Sequence, residues 1–174
     1  KIYKAVYFFV SGHTGYKSEK TRKDLINLYR KYCREYGAEK VFLIFSDKEN
    51  SNTDIVFEEY PRIFAKLNGI STYFSEIEGF GNNLLEVMAS GLIPIVYTYP
   101  VFLKDIAKFN FKVIALNEFK IDKESIAQTV DVVKNQRKRK IWVNRNLTIL
   151  KKNFQHKVIQ RKLTRAIIRQ RVHK

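Results

Sequence analysis

Residues 75–96 read SEIEGFGNNLLEVMASGLIPIV, a stretch in which glycines, two carboxylates, a helix start and an apolar strand follow one another. Gly79 and Gly81 flank Phe80, and Leu84, Leu85, Met88 and Ala89 recur behind them at helical spacing. That pattern predicts a glycine turn feeding a helix N-terminus. The first N–H groups of such a helix, at residues 82–85, lack acceptors within the helix, and the aligned peptide dipoles add partial positive charge. The terminus therefore suits an anion such as a phosphate. Glu78 stands just before the turn and Glu86 farther along the helix. Both carboxylates are able to accept hydrogen bonds from sugar hydroxyls. The plainer alternative is a glycine-bounded helix cap with two solvated glutamates.

Here the sequence resembles a known family. Glu78 and Glu86 have the E-x7-E spacing, with the EGFG start, of retaining glycosyltransferases of family GT4, and ASGLIPIV at residues 89–96 matches the continuation. Tyr99, Pro100 and Asp105 match a Y-P-V-x-x-x-D-I stretch, while Asn146, Phe154 and Leu163 match the closing helices. The resemblance covers the second half well and the first half loosely. It implies that Glu78 and the Gly79, Phe80 and Gly81 turn hold hydroxyls of the donor sugar. By the same carry-over, Asn82, Asn83 and Leu84 take the diphosphate and Glu86 grips the ribose diol. A basic pair that neutralises the diphosphate is also implied. Arg22 and Lys23 in TRKDL resemble it, with Lys17 and Lys20 as rivals, and a solvated helix face is the bland account of such lysines.

The expectation from this resemblance is a retaining hexosyltransferase of GT-B architecture, of which this chain is the C-terminal, donor-binding half. Its donor would be a UDP-, GDP- or ADP-linked sugar, and its acceptor would be held by an N-terminal domain absent from the chain, leaving the isolated domain inactive. Retention in the family is assigned to front-face attack assisted by the departing phosphate, so no protein nucleophile is called for. Two other classes stand beside it. One is a noncatalytic nucleotide-sugar-binding adaptor, and the other is a basic membrane- or nucleic-acid-interaction module.

A length of 174 residues fits one packed domain. The chain opens on Lys1 and passes directly into an apolar run, which reads as a domain excised from a longer protein. Cys33 is the single cysteine, so there is no disulfide framework or cysteine zinc cluster, and a reducing, cytoplasmic compartment is the default expectation. No apolar run approaches the roughly 20 residues of a spanning helix. His13, His156 and His173 are scattered and no DxD-like cluster occurs. No metal or cofactor is expected, the helix start and basic side chains standing in for a cation. Ser11 and Ser75 have no partner base, which leaves a nucleophilic hydrolase with little support.

Strands are predicted at residues 2–10, 41–45, 70–74, 93–98 and 112–116 from β-branched and aromatic runs. Helices are predicted at residues 19–36, where Leu25, Ile26, Leu28, Tyr29, Tyr32 and Cys33 mark a face, and at 54–67, from Asn82 onward, 101–109 and 121–134. This alternation predicts an α/β fold, a Rossmann-like doubly wound parallel sheet with ligands at the carboxyl ends of its strands. Relatives fit a further strand and helix before the EGFG turn to line the base pocket, and this chain lacks them. Residues 1–134 are read as the donor-binding domain and residues 135–174 as basic helices packed on it.

The net charge is +16, and no Asp or Glu follows Lys134. A basic cluster at residues 137–140 precedes predicted helices at 141–154, containing Trp142, and 156–172. Such a tail either braces the domain or rests on anionic lipid at the inner face of a membrane. Nucleic acid is the weaker partner, since no recognition module accompanies the charge.

Overall fold

The computed structural model describes residues 6–10, 19–38, 40–45, 59–158, 160, 161, 164, 165 and 168. The chain divides into two compact units, Lys1–Val56 and Phe57–Lys174. Predicted features at Ile2, His13, Lys17, Ser46, Asp54, Ile159, Leu163 and His173 lie outside the described residues.

In the first unit β1 (Val6–Val10) pairs in parallel with β2 (Val41–Phe45), in register from Val6 opposite Val41 to Val10 opposite Phe45. The connection contains α1 (Glu19–Glu35). Arg22, Leu25, Ile26, Tyr29 and Cys33 form its half-buried stripe, at the three- and four-residue spacing of one helix face. Leu28 and Tyr32 fall outside that stripe and are exposed, although the sequence placed them on it. Tyr29 Oη donates to the Val41 carbonyl at 2.5 Å, fastening the helix to the start of β2. Gly37 ends the helix at φ +59°, where the Ala38 amide reaches Cys33 O and the Gly37 amide reaches Arg34 O. That is a Schellman closure, and it favours glycine at the left-handed position.

In the second unit β3 (Ile70–Tyr73), β4 (Ile93–Tyr97) and β5 (Ile114–Leu116) form a parallel sheet in the order β3-β4-β5. Ile70 stands opposite Ile93, and Ile95 opposite Ile114. Preceding it, α2 (Tyr60–Lys66) starts with Pro61 in its first turn, where the missing N–H costs nothing. Between β3 and β4 runs α3 (Asn82–Ala89), and after β5 come α4 (Lys123–Lys134) and α5 (Gln136–Asn153). Leu84, Met88, Val96, Tyr99, Phe102, Ile106, Phe111 and Leu150 make one core cluster. Ile93, Ile114 and Val132 make the other, with Ile95, Trp142 and Val143 against it. Ile93 and Ile95 alternate with Val96 along β4, so the two clusters occupy opposite faces. The sheet is covered on both faces, as the doubly wound expectation requires.

Three boundaries differ from those read in the sequence. The segment after Pro100 is not a regular α-helix. Ala107 N–H donates to Phe102 O, five residues back, in a widened turn over Phe102–Ile106, and a tight turn over Ala107–Phe109 follows. The helix predicted at 121–134 starts at Lys123, with Asp122 before it as its cap. The Asp122 carboxylate accepts from Ser125 N–H at 2.7 Å while Ser125 Oγ accepts from Asp122 N–H at 3.1 Å, a reciprocal cap. The basic cluster at residues 137–140 belongs to α5, which starts at Gln136 because Asn135 Oδ1 caps the Lys138 amide at 2.9 Å. Lysine and arginine are good helix formers, so nothing breaks the helix before Ile141. Among the described residues no helix is long and apolar enough to cross a membrane.

Candidate functional site

The turn between β3 and α3 lies beyond the carboxyl end of β3. Gly81 is the residue that makes it possible. It sits at φ +91°, ψ 44° immediately before α3, and a Cβ there would overlap the hydroxyl oxygen of Tyr99. A left-handed backbone and a side-chain collision thus both demand glycine. Gly79 is different: added carbon there would meet nothing within 4 Å, so the turn opens to solvent at that point.

Because the residue before α3 is glycine, no side chain caps the helix. The Leu84 and Leu85 amides donate to the Gly81 carbonyl at 3.0 and 3.2 Å. The amides of Asn82 and Asn83 have no protein acceptor among the described residues, and the first turn carries no acidic side chain. These two exposed residues therefore present the free donors of the helix start, where the dipole also favours negative charge. Leu84, expected among the phosphate contacts, offers no free donor in this arrangement. Its side chain is fully buried beside Met88 in the core and its amide is already engaged.

Glu78 is held in place by a residue that the sequence did not single out. Tyr73, the last residue of β3, donates from Oη to Glu78 Oε2 at 2.7 Å. The Tyr73 and Tyr99 rings lie 6.1 Å apart, and Tyr99 Oη reaches the Phe80 carbonyl at 3.4 Å. Tyr73, Glu78, Phe80, Gly81 and Tyr99 consequently form one connected group around the turn. Burial raises the Tyr73 pKa, and the bond to Glu78 adds to the rise. Tyr99 is pushed up to about 12, by burial first and then by the Glu78 charge. Both phenols stay protonated at neutral pH.

The Phe80 side chain turns toward Phe154, with ring centroids 6.3 Å apart. Glu86 is exposed on α3, where its carbonyl accepts from both the amide and the hydroxyl of Ser90. Arg22 and Lys23 belong to α1 in the other unit, and the Arg22 guanidinium lies over the Phe45 ring at 4.1 Å. No periodicity would have pointed to Tyr73, which faces Glu78 across an irregular loop. Tyr99 was visible only as part of the resemblance, without a role. Among the described residues no group of three or more His, Cys, Asp or Glu side chains is arranged to hold a metal ion.

No protein-family model matches the chain, and no solved structure matches it. Two curated proteins do. A mannosylglucosylglycerate synthase of Petrotoga mobilis is 30% identical over 94 residues, which is 53% of this chain and 21% of that protein. One of the same name from Thermotoga maritima is 30% identical over 92 residues, 52% of this chain and 20% of that protein. The matched stretch thus spans about a fifth of the length of these relatives, and the similarity relates part of this chain to part of each synthase.

Proposed function

We propose that the Phe57–Lys174 unit binds a nucleotide-diphosphate sugar at the turn of residues 78–83 and serves as the donor part of a retaining hexosyltransferase. The observation that carries this reading is the uncapped start of α3, where the free Asn82 and Asn83 amides lie a few residues from the Glu78 carboxylate. A helix start of this kind is a ready anion site. The relatives add support, since a mannosylglucosylglycerate is a glycoside and its synthesis is a glycosyl transfer.

In this reading the diphosphate meets the Asn82 and Asn83 amides, and Glu78 with the Gly79 to Gly81 backbone orients the sugar. Glu86 takes the ribose diol from its exposed position on α3. The helix start stabilises the leaving diphosphate with fixed dipoles, so the reading assigns no metal. The roles of Arg22 and Lys23 as further cations rest on the family resemblance alone, as does the N-terminal acceptor domain, while a cytoplasmic setting rests on the single cysteine.

Calorimetric titration with UDP, GDP and ADP tests the proposal. One diphosphate is expected to bind in preference to the others, and Glu86→Ala is expected to weaken it by about tenfold or more. That factor follows from roughly 1.5 to 3 kcal/mol for a hydrogen bond to a charged group. Binding of none of the three, or an unchanged affinity in the variant, overturns it. An adaptor would bind without turnover in the full-length protein, whereas a basic interaction module would make no demand on Glu86.

A further inference from the structure

At the other end of the same sheet lies a groove of about 640 Å³, lined by Arg62 and Lys66 of α2, Ser90 and Gly91 after α3, and Arg139 and Lys140 of α5. Gly69 and Gly91 precede β3 and β4, which places the groove at the amino ends of the strands. The glycine turn follows their carboxyl ends. At about 3.3 Å per residue, β3 alone separates the two by roughly 13 Å.

The lining is cationic without compensation. Arg62, Lys66 and Lys140 are exposed, and no carboxylate is among the lining residues. The start of α5 opens on the same groove, and its first turn contains no acidic side chain. Its dipole therefore adds positive potential to that of the side chains.

Arg139 is the decisive residue. It is only 5% exposed, and its terminal nitrogens donate to the carbonyls of Asn68 at 3.1 Å and Gly69 at 2.6 Å. Those carbonyls satisfy N–H groups but carry no net charge, and among the described residues no carboxylate pairs with the guanidinium. A buried cation without a counter-ion is costly. Burial accordingly lowers the Arg139 pKa from its ordinary value.

We propose that this groove binds a phosphate-bearing anion, whose charge neutralises the buried Arg139 while its oxygens accept hydrogen bonds from Lys66 and Lys140 at the rim. A flexible lysine rim beside a fixed guanidinium suits phosphate oxygens. The phosphate belongs either to a soluble compound or to a phospholipid headgroup. The site is independent of the donor turn and of the function proposed for it.

The test uses the whole chain with two probes: tripolyphosphate by calorimetry, and phosphatidylglycerol vesicles by flotation. The variant Arg62→Ala/Lys66→Ala/Lys140→Ala leaves the buried Arg139 intact to preserve the fold. A control, Lys120→Ala/Lys151→Ala/Lys152→Ala, removes the same charge from exposed positions outside the lining. Saturable binding of at least one probe is expected, weakened by about tenfold or more in the groove variant and by less than about twofold in the control. Tripolyphosphate binding that the groove variant weakens identifies a soluble phosphate as sufficient, whereas variant-sensitive binding to vesicles alone assigns the headgroup. Absence of saturable binding to both probes overturns the proposal. So does an equal loss in the two variants, which would mark bulk attraction by the net positive charge.

Discussion

Tyr73 Oη donates to Glu78 Oε2 at 2.7 Å, so the last residue of a strand orients the carboxylate that opens the glycine turn. Replacing Tyr73 with Phe removes that restraint while keeping the ring against Tyr99. Glu78 is half-buried, and water replaces part of the lost bond, so stability should fall by about 1 kcal/mol. Donor affinity should fall several-fold as the carboxylate becomes free to rotate. Urea unfolding and calorimetry measure the two effects. An unchanged affinity for the preferred donor would remove Tyr73 from the site.

The two tyrosines set an alkaline limit on stability. Both phenols have folded-state pKa values above their ordinary 10.0, with Tyr99 at about 12. Below pH 10 each state holds these protons and nothing is lost. Above it the unfolded chain releases them while the folded unit retains them, so stability falls as pH rises from about 10 towards 12. Tyrosinate absorbance and circular dichroism recorded through that window should show the loss, and Tyr73→Phe should reduce it. Stability independent of pH there would contradict the assignment.

Gly81→Ala is expected to suffer two separable penalties. One is backbone strain at φ +91°, of about 1 to 3 kcal/mol, and the other is collision with the Tyr99 hydroxyl. Removing the hydroxyl leaves the ring carbon Cζ 3.5 Å from the added methyl, an ordinary contact. The double variant Gly81→Ala/Tyr99→Phe should therefore regain the steric part but not the strain. A double-mutant cycle in urea reads the coupling directly, and strict additivity would refute the contact.

Asn146 joins α5 to the approach of β5. Its fully buried side chain accepts from Lys112 N–H at 2.7 Å and donates to Lys112 O at 2.9 Å, much as a neighbouring strand would. Asn146→Leu keeps the branched shape, with larger ends, but strands both backbone groups, at about 1 to 3 kcal/mol each. A loss of about 2 to 6 kcal/mol in urea unfolding is expected, with faster hydrogen exchange at the Lys112 amide. A smaller loss without faster exchange would mean that the pairing is dispensable.

The strands were legible because β2 and β4 are apolar runs bounded by polar or glycine residues, and the start of α3 was legible because Gly81 announces it. The core side of Leu84 was legible from its four-residue spacing to Met88, whereas the bond from its amide to the Gly81 carbonyl was not, because it depends on how tightly the first turn winds. The widened turn at Phe102–Ile106 leaves the apolar spacing nearly intact, so periodicity could not distinguish it from an α-helix. The start of α5 was missed because residues 137–140 read as a charged interruption, although Asn135 is a good cap and the run favours helix. The bond from Tyr73 to Glu78 spans an irregular loop, and no spacing rule reaches across it.

The Tyr99 hydroxyl fills the volume that any side chain at position 81 would need. That shared space constrains the order in which a lineage can change the two positions. Losing the hydroxyl first leaves only the backbone strain to oppose a larger residue, whereas enlarging position 81 first passes through an ancestor that bears the strain and the collision together. Descendants bearing a bulkier residue at 81 should therefore have shed the tyrosine at 99 beforehand, a historical dependence arising from a single oxygen atom.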